Sequence, residues 1–118
     1  MEDNIVKEKS YQFALRIVKL YQYLNVEKKE YVLSKQILRS GTSIGANIRE
    51  AQHAQSRKDF LSKTNIALKE ANETDYWLDL LYDAKYIEQS AYLSIKEDIT
   101  ELLKLLISIV KTLKNTTK

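Results

Sequence analysis

The residue types that most often do chemistry are sparse in this 118-residue chain, which has one histidine and no cysteine. The histidine stands in Glu50-Ala51-Gln52-His53. On a helix, Glu-x-x-His puts a carboxylate and an imidazole on one face, as in the diiron sites of helical bundles, but such a site takes two copies of the motif and a glutamate from each of two more helices. One histidine supplies one copy, so His53 reads as a surface or interface side chain and no metal is expected. The missing cysteines exclude thiolate zinc sites, iron–sulfur clusters and cysteine nucleophiles. No glycine-flanked serine elbow and no phosphate-cradling glycine loop occurs. Glu70 and Glu73 can pair on a helix, yet acid–base work also needs a pocket and a substrate that nothing in the sequence specifies. The chain reads as a non-enzyme without a cofactor.

Binding chemistry is better represented. Lys35, Arg39, Thr42, Ala46, Arg49 and His53 recur at alternating spacings of four and three, which makes them one outward line on a helix. No Asp or Glu falls between Tyr31 and Arg49, and Arg57 and Lys58 carry the positive charge further. Lys35, Arg39, Arg49, Arg57 and Lys58 are the candidate contacts to nucleic-acid phosphates, electrostatic, sequence-tolerant and salt-dependent. An ordinary solvated face is the competing reading. The chain carries nineteen Lys and Arg against sixteen Asp and Glu, a formal +3. Residues 1–60 hold eleven basic against seven acidic residues and 61–118 eight against nine, so the excess is N-terminal. Eight tyrosines, among them Tyr11, Tyr21, Tyr23, Tyr31 and Tyr76, can stack on unpaired bases or anchor subunit contacts. Ser43, Asn47 and Glu50 border the apolar face of the same helix, where they are expected to form a structural polar network with Glu73 and neighbouring cations.

The elements that position these residues follow from composition and periodicity. The chain has no proline and two glycines, against about six and about eight at average usage. A fold of many short strands lacks the turns it needs, and a few long helices remain. Helix 1 is expected from about Lys7 to Leu24, with Phe13, Ile17, Leu20 and Leu24 at helical spacing, and a turn at Asn25 to Lys29. Helix 2 carries Leu33, Ile37, Ile44, Ile48 and Ala51 and contains both glycines. Gly41 and Gly45, four apart on one face, admit either a close helix neighbour or a kink. Ser56 caps helix 3, with Asp59 in its first turn. That helix has one stripe through Phe60, Thr64, Ala67, Ala71, Thr74, Leu78 and Leu81, and a second through Ile66, Glu70, Glu73, Trp77, Leu80 and Ala84. After a turn at Asp83 to Glu88, helix 4 follows Ala91, Ile95, Ile99, Leu102, Leu106, Ile109 and Leu113. Leu103, Leu105, Ile107 and Val110 lie outside that stripe, which favours a subunit interface over deep burial within one bundle.

Short connections between four long helices predict one all-α domain over residues 1–118, an antiparallel up-down-up-down four-helix bundle. The segment Leu102 to Leu113 is too short and too interrupted by Lys104 and Lys111 to span a membrane, and the acidic N-terminus shows no secretion signal. A soluble protein of a reducing cytoplasm is expected, with no membrane partner.

Ser43-Ile44-Gly45-Ala46-Asn47-Ile48-Arg49-Glu50-Ala51, then Ser56-Arg57-Lys58-Asp59-Phe60 and Ala67-Leu68-Lys69-Glu70-Ala71-Asn72-Glu73-Thr74, resemble the bacterial four-helix-bundle proteins encoded in intervening sequences of 23S ribosomal RNA genes. Glu73 to Leu81 resembles that family's Glu-x-x-x-Trp-Leu region, and the likeness runs over nearly the whole chain. The resemblance implies a homo-oligomer, a pentameric ring of bundles. Through related accessory proteins of diversity-generating retroelements it implies RNA or DNA binding and association with a reverse transcriptase or another protein. It transfers no catalytic residue. A non-enzymatic nucleic-acid-binding accessory protein is the leading expectation, and a protein-interaction scaffold with no nucleic-acid role is the alternative.

Overall fold

The computed structural model describes residues 2–116, as α1 (Glu2–Val26), α2 (Leu33–Ala51), α3 (Arg57–Asp83) and α4 (Gln89–Thr116). Each helix packs against its two neighbours around the bundle, and among the described residues the backbones of diagonal helices do not approach within 8 Å between Cα atoms. The bundle measures 48 × 21 × 20 Å, close to the ~42 Å that 28 residues span at 1.5 Å each. All neighbours run antiparallel. The fold is the expected all-α four-helix bundle.

The apolar periodicities converge on one core, in which Phe13, Ile17 and Leu24 meet Ile37, Ile44, Leu78, Leu81, Ile99, Leu102 and Leu106, all essentially inaccessible. Burying such side chains contributes roughly 1.5 to 3 kcal/mol each. Small residues on α3, Ala67 and Ala71, are also fully buried and let that helix lie close. Thr74 and Ser40, buried between α3 and α2, satisfy each other through a 2.9 Å hydroxyl hydrogen bond, and Thr74 also donates to the Glu70 carbonyl. The second stripe of α3 is only half-buried at Glu70, Glu73, Trp77 and Leu80, because it flanks α2 rather than facing the centre.

Gly41 and Gly45 serve close approach and not a kink, since α2 continues through both. A Cβ on Gly41 would stand 2.9 Å from both Cγ atoms of Ile17, whereas one on Gly45 would stand 3.4 Å from the Ser10 carbonyl oxygen and hydroxyl. The α1–α4 seam is the sparsest of the four. It is held largely by polar contacts: Arg16 donates to Asp98 at 2.5 Å and to the Ser94 hydroxyl at 2.9 Å, and Lys9 pairs with Glu101 at 3.2 Å.

Chain reversals without glycine or proline need other chemistry. Lys85 takes a left-handed conformation, φ 69°, and the Tyr86 and Lys85 N–H groups close back onto the Leu81 and Tyr82 carbonyls at 2.9 Å. This is a Schellman ending to α3 with lysine where glycine is usual. Lys29, φ 51°, is also left-handed, in the turn after α1. Glu30 then caps α2: its carboxylate accepts from the backbone N–H groups of Val32, Leu33 and Ser34 at 2.7 to 3.1 Å, and its own N–H donates to Leu24. Ser56 caps α3 as expected, accepting from the Asp59 N–H at 3.0 Å, while the Asp59 carboxylate accepts from Gln55.

Four expectations are corrected. α1 starts at Glu2 and ends at Val26, not at Lys7 and Leu24. Ala91 lies exposed, because α4 has only just begun there and lies outside the core. Val110 is buried and Leu103 and Leu105 are half-buried. The apolar surplus of α4 therefore folds largely into its own bundle, and Ile107 and Leu93 are the large apolar side chains left exposed on it.

Two outcomes follow. Gly41→Ala lowers stability by about 1 to 2 kcal/mol in urea denaturation, since overpacking against the stiff, buried Ile17 outweighs the helix-propensity gain of ~1 kcal/mol. Gly45→Ala keeps that gain and is neutral or stabilising. For Glu30, burial pushes the pKa up, but the Leu33, Ser34 and Val32 N–H groups and the Ser34 hydroxyl prevail, leaving it below its ordinary 4.5. A lowered carboxylate contributes stability above its unfolded pKa and loses it as pH falls through the folded one. Glu30→Gln is therefore about 1 kcal/mol less stable than the native chain at pH 7, and the gap closes as pH falls below 4.5 and through the lowered folded pKa; an unchanged gap would show that the charge is irrelevant.

Candidate nucleic-acid interface

The line read on α2 divides once its neighbours are in place. Arg39 leans toward α3, where its guanidinium pairs with Glu70 at 3.2 Å and with Glu73. The Trp77 indole N–H donates to the same Glu73 carboxylate at 2.9 Å. One cation between two carboxylates leaves that side of the helix acidic, and the Arg39 side chain stays half-exposed. Lys35 is exposed near the start of α2, far along the axis from Arg49, Arg57 and Lys58. Those three are also exposed and gather at the opposite end of the bundle.

The polar network read for Ser43, Asn47, Glu50 and Glu73 does not assemble as one unit. Ser43 donates to the Arg39 carbonyl at 2.6 Å and Asn47 to the Ser43 carbonyl at 2.8 Å, both within their own helix. Short polar side chains mid-helix have backbone carbonyls within reach and use them. Glu73 joins Arg39 and Trp77, and Glu50 receives a 3.0 Å bond from Lys63. That bond and the Glu50 charge hold the Lys63 ammonium above its ordinary pKa. His53 is exposed in the turn after α2, its backbone N–H on the Glu50 carbonyl. A second closed cluster lies between α3 and α4, where Lys96 meets Asp75 at 2.6 Å and Asp79 at 3.0 Å. Burial lowers the Lys96 pKa, but the hydrogen bonds to both carboxylates outweigh it and raise it. Tyr92 donates to Asp79 at 2.7 Å, which holds its phenol up, and stacks on Tyr82 with centroids 4.1 Å apart.

Arg49 has a different setting. Its guanidinium lies 5.8 Å from the centre of the Tyr11 ring, within cation–π range. The two side chains flank a groove of about 410 Å³ between α1 and α2, lined by Lys7, Ser10, Ala14, Thr42, Gly45, Ala46 and Glu50 besides. Gly45, Ala14 and Ala46 are small, which is why a groove exists where two helices otherwise close. Sequence reading gave no place to Lys7, and it took Tyr11 as one of eight tyrosines. Lys7, Tyr11 and Ala14 do recur at four and three, but only the register of α1 on α2 shows that they face Gly45 and Arg49.

Residues 2–108 match the family model described as 23S rRNA-intervening sequence protein. The chain belongs to this family. Its structure is similar to the 1.70 Å crystal structure of a protein of unknown function from the S23 ribosomal protein family of Bacteroides thetaiotaomicron VPI-5482. The two chains are 67% identical, with a TM-score of 0.92, and the match covers 94% of this chain and 99% of that one. No curated protein matches the chain. No helix among the described residues is long and apolar enough to cross a membrane. Within the family segment Ser43 to Ala51, the physical roles are now separate: Ile44, Ile48 and Ala51 enter the core, Gly45 and Ala46 line the groove, and Arg49 flanks it.

Proposed function

We propose that this member of the 23S rRNA-intervening sequence family is a non-enzymatic bundle that binds RNA or DNA through one end and self-associates through the other. The observation that carries the reading is the placement of charge. Lys7 on α1, Arg49 on α2, Arg57 and Lys58 on α3, and Lys111 and Lys114 on α4 are far apart in sequence, yet all are exposed at the same end of the antiparallel bundle. Of the carboxylates there, Glu50 pairs with Lys63, Asp59 accepts a capping bond and Glu8 accepts from the Gln12 amide, while Glu2 and Asp3 also stand at the start of α1. A surface of this kind neutralises phosphates without reading sequence.

Self-association rests on a separate observation. Leu15, Val18, Tyr23 and Val26 on the outer side of α1 and Tyr31 and Val32 in the following turn are 37 to 71% exposed, and they lie in the half of the bundle away from the basic end. Apolar side chains grouped in this way mark a contact surface. A second copy of the chain fits it, and a ring of bundles would repeat the basic end around its circumference and gain avidity.

Electrophoretic or anisotropy titration with structured RNA checks the first half. Binding is expected at ~50 mM salt, with affinity falling as salt rises at a log–log slope of about −3 for four phosphates on a single strand. The combined Arg49→Ala, Arg57→Ala and Lys58→Ala variant should lose at least tenfold, and Arg39→Ala should lose little, because Arg39 already serves Glu70 and Glu73. Absence of binding at low salt contradicts the reading.

A further inference from the structure

We propose that the groove between α1 and α2 holds an unpaired nucleotide, its base stacked at Tyr11 and its flanking phosphates on Lys7 and Arg49. This deepens the nucleic-acid reading above and rests on it. Three features of the groove support it together. Its volume of about 410 Å³ lies in the range of small-ligand sites. Its walls are low where Gly45, Ala14 and Ala46 face inward, so a planar group can enter between two packed helices. And Tyr11 is 50% exposed, with the planar Arg49 guanidinium over its ring at 5.8 Å, a cation that a base stacking on Tyr11 would displace toward its own flanking phosphate.

The occupant follows from charge and shape. Lys7 and Arg49 attract an anion, and the one carboxylate on the groove wall, Glu50, is engaged by Lys63 at 3.0 Å. An aromatic face beside two cations suits a base joined to a phosphate better than a simple anion or an apolar ligand. A base inside a duplex is already stacked on its neighbours and cannot turn into such a groove, whereas an unpaired base can. The comparable groove of about 430 Å³ between α1 and α4 also has a tyrosine and a lysine, Tyr23 and Lys19, but its guanidinium, Arg16, is tied to Asp98 and Ser94, and the Glu88 carboxylate stands on its wall.

The test uses fluorescence anisotropy at ~50 mM salt with three labelled probes: an oligothymidylate of about twelve nucleotides, its abasic counterpart, and a duplex of the same length. The native chain is expected to bind the oligothymidylate about tenfold or more tightly than the abasic strand. Tyr11→Ala should remove that preference while leaving abasic and duplex binding within about twofold, and Tyr11→Phe should retain it. Equal binding of oligothymidylate and abasic strand by the native chain overturns the stacking site while leaving general nucleic-acid binding intact, and it does so without any variant. An unchanged preference in Tyr11→Ala, with helicity preserved in circular dichroism, overturns it as well. No binding of any probe removes both this inference and the reading beneath it.

Discussion

The close approach of α1 and α2 is the constraint on which the rest depends. Gly41 brings the α2 backbone against the Ile17 side chain, and one turn further Gly45 brings it against the Ser10 backbone. At the first glycine the space is filled completely, and the register of the two helices is set there. At the second it is left partly open, and the groove flanked by Tyr11 and Arg49 begins. One pair of small residues thus links core packing to surface shape: the same absence of side chains that lets the helices touch opens a groove beside a tyrosine ring with a guanidinium over it. The expense is helix propensity, about 1 kcal/mol for each glycine, which a 19-residue helix buried along one face can carry.

Charge is sorted by the same geometry. Where α2 meets α3 and α3 meets α4, lone cations are enclosed by pairs of carboxylates, Arg39 by Glu70 and Glu73 and Lys96 by Asp75 and Asp79. These clusters fasten helix to helix, and each keeps a net negative charge. The cations at the end of the bundle that joins the α1 start, the α2–α3 turn and the α4 end are exposed.

Much of this was legible in the sequence, and the reasons for the rest are physical. Stripes such as Phe13, Ile17, Leu20 and Leu24 or Ile95, Ile99, Leu102 and Leu106 identify their buried faces because burial and helical period coincide, and Ser56 identifies a cap because its chemistry is local. The ion pairs of Arg39 are not legible because its partners, Glu70 and Glu73, lie more than thirty residues away and only helix pairing brings them near. Glu30 was invisible as a cap: it precedes α2 by three residues and folds its carboxylate forward onto backbone groups, an arrangement with no spacing signature of the Ser-x-x-Asp kind. Lys29 and Lys85 end helices in a conformation that glycine would advertise and lysine does not. The candidate groove needed two things that periodicity on one helix cannot show, the register of α1 on α2 and the depth left by Gly45.

The account comes down to where a nucleic-acid strand touches the bundle. Photo-cross-linking of a thiouridine-substituted oligonucleotide, followed by mass spectrometry of the adducts, reads that position directly. Adducts on Tyr11 and on peptides carrying Lys7 and Arg49 are the expected result. Adducts confined to the α3–α4 face, or to the Lys35 and Arg39 region of α2, would contradict it.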